Sequence, residues 1–194
     1  MDTFKIKKLR ENAKIPKRAT NGSAGMDLYA CIDESITLAP GQLAIIPTGI
    51  AIELPDNQCV AYLYARSGLG VKHGICLSNG VGVIDSDYRG EICAGLCNVS
   101  DKPYVIEPDE RVAQMVIAPV YTPDIVEVDE LGDTDRGEIC VGVINQLKEA
   151  YTINPDERIA QLVIMPVSLI APVESDELDD TLRGTGGFGS TGKK

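Results

Sequence analysis

Apolar residues in this chain come in short runs cut by Gly, Pro, Asn and Asp. SITLAP, QLAIIPTGIAIELP, CVAYLYA, GVGVID, RVAQMVIAPV and RIAQLVIMPV follow one another along the sequence. No stretch keeps a 3.6-residue period beyond about two turns, the length at which a helix would become credible. Runs of this length between turn residues predict strands. The chain is therefore predicted to be all-β, as a sandwich, jelly roll or distorted barrel. One short helix is allowed after Arg66-Ser67-Gly68-Leu69-Gly70.

The pattern also repeats. Residues 89–135 return, shifted by 47 positions, as residues 136–182, and 26 of the 47 pairs are identical. That divergence makes the repeat a join of two related sequences rather than a copying slip. The joint at Asp133-Thr134-Asp135-Arg136-Gly137-Glu138 begins like the approach to Arg183-Gly184 and continues like Arg89-Gly90-Glu91, as a crossover at a shared Arg-Gly-Glu would leave it. Two copies are too few for a solenoid. Removing one copy leaves 147 of the 194 residues, near the commonest domain size. The expected organisation is one β domain over 1–182, containing the repeat, and a mobile Gly-rich tail over 183–194.

Composition and charge narrow the function. The chain is 44% hydrophobic with no Trp and two Phe, so its core must come from Val, Ile, Leu and Ala, which suits strands. A net charge of −11 argues against nucleic-acid binding, which draws its affinity from neutralising phosphates. Small phosphate ligands remain open if Arg, backbone N–H groups or a cation meet them locally. The six Cys show no CxxC and no nearby His, so zinc is not expected, and a reducing cytoplasm fits best. Neither a signal peptide nor a membrane span is expected.

Several motifs carry chemistry. The tail RGTGGFGSTGKK imitates the dinucleotide fingerprint and the P-loop spacing, but neither is followed by the helix those motifs need. Its glycines still let backbone N–H groups wrap an anion, and Phe188 is suited to stacking on a base. Asn79 to Gly90 reads as a β-hairpin whose backbone can read a base edge. Asp85 beside it can take a proton from water, and Tyr88 can pack on a sugar. Arg66, Ser67 and Gly68 make a phosphate grip. Asp27, in Ala24-Gly25-Met26-Asp27-Leu28, is by itself most simply a turn or capping acid. His73, the only histidine, reads as a turn residue.

Taken together, AGMDL, RSGLG, NGVGVIDSDYRG, ERVAQ (again as ERIAQ) and RGTGGFGSTG resemble the five motifs of the homotrimeric dUTP diphosphatases, or dUTPases. The resemblance runs from about residue 3 to the end if one copy is skipped. It implies a dUTPase-like distorted jelly roll with a duplicated strand segment, and hydrolysis of dUTP to dUMP and pyrophosphate by Mg²⁺-assisted attack of water on the α-phosphate. Asp85 would activate the water and Asp27 would bind Mg²⁺ through water. Asn79, Val83, Ile84 and Cys93 would surround the uridine, with Tyr88 excluding a ribose 2′-hydroxyl. Arg66, Ser67 and Gly68 would hold the phosphates. Arg183, Phe188, Gly189, Ser190 and Thr191 would close over the nucleotide. Two other readings stand beside it: an impaired duplication variant or binding protein on the same scaffold, and a dCTP deaminase relative.

The repeat creates rivals. Gln114 and Gln161 compete for one substrate-binding place, as do Arg111 and Arg158 for another. Because the tail must leave from a correctly placed strand, copy two is expected to supply the core and copy one to be partly extruded. The surplus apolar strand should then pack on the trimer, swap or drive association.

Overall fold

The computed structural model of the chain describes residues 3–132, 139–145, 149–172 and 174. Eleven strands and one helix are formed among them: β1 (Lys5–Lys8), β2 (Met26–Tyr29), β3 (Ile36–Leu38), β4 (Leu43–Pro47), β5 (Ile50–Glu53), β6 (Cys59–Ala65), α1 (Ser67–His73), β7 (Ile75–Leu77), β8 (Gly82–Ile84), β9 (Cys93–Asn98), β10 (Tyr104–Ile106) and β11 (Arg111–Pro119). They pair as β1-β5, β10-β3, β2-β11-β6-β8 and β4-β9-β7, every ladder antiparallel. This is the jelly-roll-like all-β fold the apolar runs predict.

Period-2 alternation puts one side of β2 into the core, whereas β6 is buried on both faces from Cys59 to Leu63. Met26 and Leu28 of β2 are buried, whereas Asp27 and Tyr29 point the other way. In the same way Ala61 and Leu63 of β6 join the core with Ala113 and Met115 of β11. Leu38, Ile46, Ile50, Ile75, Ile92, Leu96 and Ile106 complete an aliphatic interior that needs no Trp.

Two polar groups inside are satisfied locally. Asn98 donates from Nδ2 to Leu38 O (2.8 Å) and Lys102 O (2.7 Å), and its Oδ1 accepts from the Ser100 amide at 3.0 Å. Buried Glu110 takes the Tyr104 hydroxyl and, at 3.1 Å, the Glu107 amide. Burial, and then this carboxylate, push the Tyr104 phenol well above its ordinary pKa.

The helix differs in position from the sequence reading. It starts at Ser67, inside RSGLG, because Arg66 is extended (φ −85°, ψ 132°) and its carbonyl accepts from Leu69 and Gly70. Gly68 and Gly70 hide it from propensity arguments, and burial of Leu69 overrides them. Gly74, left-handed at φ +66°, ends it.

The Asn79–Gly90 segment is not a two-stranded hairpin. Its one strand, β8, pairs with β6, while β7 just before it pairs with β9, so the turn at Asn79-Gly80 passes between sheets. Sequence spacing cannot tell a turn within a ladder from a turn between sheets.

The expectation about the repeat is overturned. Copy one supplies β9, β10 and β11, whereas residues 158–167 of copy two form no strand, and their one β-bridge is Tyr121–Ile164. Leu162, Val167 and Ile164 are exposed, where Met115 of copy one is buried. The physical reason is connectivity. Copy one follows β8 directly, but docking copy two would close a 47-residue excursion, at a cost on the order of 3 kcal/mol in chain entropy. Placing the tail is a weaker demand than avoiding that closure.

Trypsin should therefore cut after Arg158 well before Arg111, since Arg158 is exposed and Arg111 is buried at the head of β11. Mass spectrometry of early fragments checks this; early cleavage at Arg111 would contradict the assignment of copy one to the sheet.

Candidate active site

Most of the described predicted residues fall into two groups along the β2-β11-β6-β8 sheet, with Cys93 on β9 of another sheet. The first is built on Asp27. In the β2–β11 ladder Asp27 faces Gln114, and the register slips between Arg111 and Ala113. Such an irregularity re-aims a side chain, and here Arg111 reaches back to Asp27. Asp27 Oδ2 accepts from Arg111 Nη1 and Oδ1 from Arg66 Nε, both at 2.9 Å. The three side chains are only 13%, 7% and 10% exposed respectively. Arg66 also donates from Nη1 to the Arg111 carbonyl at 3.1 Å, which fixes its guanidinium at the junction of β6 and α1. Ser67 and Gly68 open the helix directly beside it.

Gln114 completes this cluster. Its Nε2 donates to Ala65 O at 3.0 Å, and a Cβ on Gly25 would lie 2.6 Å from its Oε1. The AGMDL glycine is thus the space into which this glutamine packs. Between the rivals, the structure seats Gln114 here and places Gln161 elsewhere, on the wall of a cavity beside Val83 and Asp85.

The second cluster lies around β8 and the loop after it. Val83 faces Tyr62 and Ile84 faces Ala61 across the β6–β8 ladder, so Asp85 emerges beside the first residues of β6. A turn closed by the Tyr88 amide on Asp85 O (3.1 Å) follows, and both side chains are exposed. Tyr88 donates its hydroxyl to Glu91 O at 3.1 Å and lies over Gly90, where a Cβ would meet the phenol oxygen at 2.4 Å. Glu91 is itself anchored by the Gly49 amide (2.8 Å) and Arg10 (3.3 Å). Asn79 is exposed at the turn before β8. Cys93, half-buried, starts β9 opposite Pro47, its thiol pKa raised by burial first and by Glu91 next.

The two clusters are not contiguous in one chain. Ala61, opposite Ile84, precedes Arg66 by five residues, about 16 Å of strand. Between them the outer face of the sheet is apolar, with Val116 and Val83 flanking Tyr62. Burial raises the pKa of the Tyr62 phenol. Arg183, Phe188, Gly189, Ser190 and Thr191 lie outside the described residues.

Sequence reading missed the ion triad. It gave Arg66 to phosphate and left Arg111 as one of two rivals. The available signal was that three charged residues, Asp27 within one apolar run, Arg66 just after another and Arg111 at the head of a third, would be costly to bury unpaired.

Among the described residues no group of three or more His, Cys, Asp or Glu could hold a metal ion. Asp27 nevertheless suits a hydrated divalent cation. Its oxygens are hard donors, and each is held here by one guanidinium, leaving acceptor capacity for a metal-bound water. Direct coordination would have to displace an arginine.

Comparison with known proteins gives a consistent result. A family model described as dUTPase matches residues 11–142 and again 133–192. The deoxyuridine 5′-triphosphate nucleotidohydrolase of Desulfitobacterium hafniense (strain DSM 10664 / DCB-2) is 50% identical over 121 residues, which cover 62% of this chain and 80% of that protein. A mutant dUTPase from phage phi11 of S. aureus, described with a structural Mg(II) ion, superposes with a TM-score of 0.61 at 26% identity, covering 68% of this chain and 100% of the other. A mutant of the Staphylococcus bacteriophage 80alpha dUTPase with dUpNHpp gives 0.64 at 29%, covering 73% and 98%.

Replacing Asp27 with Ala would strand two nearly buried guanidinium groups, so the variant should lose about 3 kcal/mol of stability. Urea unfolding measures it; a loss below about 1 kcal/mol would mean that the triad is solvated.

Proposed function

The chain belongs to the dUTPase family and hydrolyses dUTP to dUMP and pyrophosphate with Mg²⁺, and from that premise we propose that each active site is completed between subunits of a homotrimer. The observation that carries this is the separation of the two clusters. A general base and a phosphate grip must both come within a few Å of the α-phosphorus for reaction. Along β6 they stand about 16 Å apart. A neighbouring copy presenting its Asp85 loop to the Asp27 end closes that gap. On the outer face of the sheet Val83 and Val116, partly exposed beside the already buried Tyr62, are left for the copies to bury.

Within such a site Asp85, exposed and without an ion-pair partner among the described residues, orients the attacking water and accepts its proton. Backbone groups at Asn79, Val83 and Ile84 read the uracil edge, and Cys93 borders that pocket. Tyr88, pressed on Gly90, occupies the space a 2′-hydroxyl would need. Arg66, held in orientation by Asp27, meets the phosphates with Ser67 and Gly68. Asp27 would hold Mg²⁺ through bound water, and Gln114 at the same end would contact the substrate. What Mg²⁺ supplies there is neutralisation of the charge on the phosphate oxygens. Local cations thus reconcile a triphosphate substrate with a chain of net charge −11.

The free state of all six cysteines supports a cytoplasmic location. No described helix is long and apolar enough to cross a membrane.

Pyrophosphate release should be strong with dUTP and weak with UTP, dCTP and dTTP. Asp85→Asn should lower kcat by about 10²–10⁴-fold without altering assembly, as loss of a general base does. Tyr88→Ala should raise the kcat/KM of UTP relative to dUTP by roughly tenfold or more. Mixing Asp85→Asn subunits with Asp27→Asn subunits tests the sharing directly. Activity above either parent in the mixed trimer is expected; none would place both clusters of each site in a single chain.

A further inference from the structure

We propose that the two repeat copies are interchangeable occupants of one slot, so that residues 158–166 can replace Arg111–Pro119 between β2 and β6 of the same chain while copy one is released. Three observations carry this.

First, the slot selects for residues that both copies have. β11 is held on one edge by β2 and on the other by β6. Its named side-chain contacts there are Arg111 to Asp27 and Gln114 to Ala65. Arg158 and Gln161 stand at the equivalent places. The buried positions Val112, Ala113 and Met115 become Ile159, Ala160 and Leu162, changes of the near-isosteric kind that cores accept best.

Second, copy two is already shaped like copy one although nothing packs it into the sheet. Asn145 donates from Nδ2 to Glu149 O at 2.7 Å, as Asn98 does to Lys102 O. Tyr151 reaches Glu157 as Tyr104 reaches Glu110. The Asn154 amide meets Glu157 Oε2 at 2.9 Å, where the Glu107 amide meets Glu110. Asp156 is left-handed at φ +62° and Asp109 at +65°. The turn that launches β11 is therefore built twice, once in place and once in waiting.

Third, residues 158–166 are committed to no competing sheet. Their one β-bridge is Tyr121–Ile164 (2.8 Å), and Leu162, Ile164 and Met165 remain exposed. A 47-residue connection spans any distance within the domain with slack. Within the strand itself, exchange therefore replaces the buried positions 112, 113 and 115 with near-isosteric counterparts.

Ala113, fully buried, and its counterpart Ala160 allow either occupant to be barred from the slot, since a carboxylate there has no partner. Three variants, Ala113→Asp, Ala160→Asp and the double, are followed in the full chain by hydrogen exchange with mass spectrometry, which tells the copies apart by peptide mass, and by thermal unfolding. Ala113→Asp is expected to stay folded, with slow exchange moved from 111–119 to 158–166. Ala160→Asp should keep the parent pattern, and the double variant should lose its cooperative transition. Unfolding of Ala113→Asp to the extent of the double, or a folded Ala113→Asp with 158–166 still exchanging freely, would overturn the proposal.

Discussion

One strand-wide gap between β2 and β6 sets the terms for the rest of this molecule. β11 fills it, and in doing so closes the largest sheet, brings Met115 and Val112 into the core and carries Arg111 to Asp27. The ion triad depends on that placement, because Arg66 at the end of β6 and Arg111 at the start of β11 converge only when the two strands are in register. A pair of guanidinium groups around one carboxylate is weak evidence of stability in itself, since desolvation offsets much of the attraction. Its consequence is orientation: Arg66 is fixed by Asp27 Oδ1 and by the Arg111 carbonyl at the threshold of the helix.

The duplication tests how far such a gap determines a fold. Two segments of the same chain could fill it, and the winner is decided less by side chains than by chain entropy. Copy one needs no long closure, whereas copy two must carry 47 residues out and back. The losing copy keeps the local structure that its own residues dictate and lacks only what a neighbouring strand would supply. Its apolar residues are left facing solvent, an edge-pairing hazard that association or exchange would relieve.

The proposed division of the site rests on the same architecture. β6 is long enough that the Asp85 loop at one end and the Asp27–Arg66–Gln114 group at the other stay apart in a single chain. On the proposed reading, catalysis is a matter of assembly and local cations, which reconciles an acidic chain with a triphosphate. Small residues set the geometry at both ends: Gly25 makes room for Gln114, and Gly90 lets the Tyr88 ring settle against the backbone.

The sequence alone determined the all-β class, since short apolar runs and the turn residues between them are local properties, and it determined the family through five spaced motifs. It also marked Asp27, Arg66, Asp85, Tyr88 and Gln114 as the residues to watch. It misread the Asn79–Tyr88 hairpin, because whether a turn joins strands of one sheet or of two is settled by partners far along the chain. It could not show that Asp27 is shared by two arginines, since that meeting needs β2, β6 and β11 side by side. Nor could it choose between near-identical copies. Only the tertiary structure decided that, because the two strands offer the slot almost the same side chains and differ chiefly in the length of chain that must be folded away to deliver them.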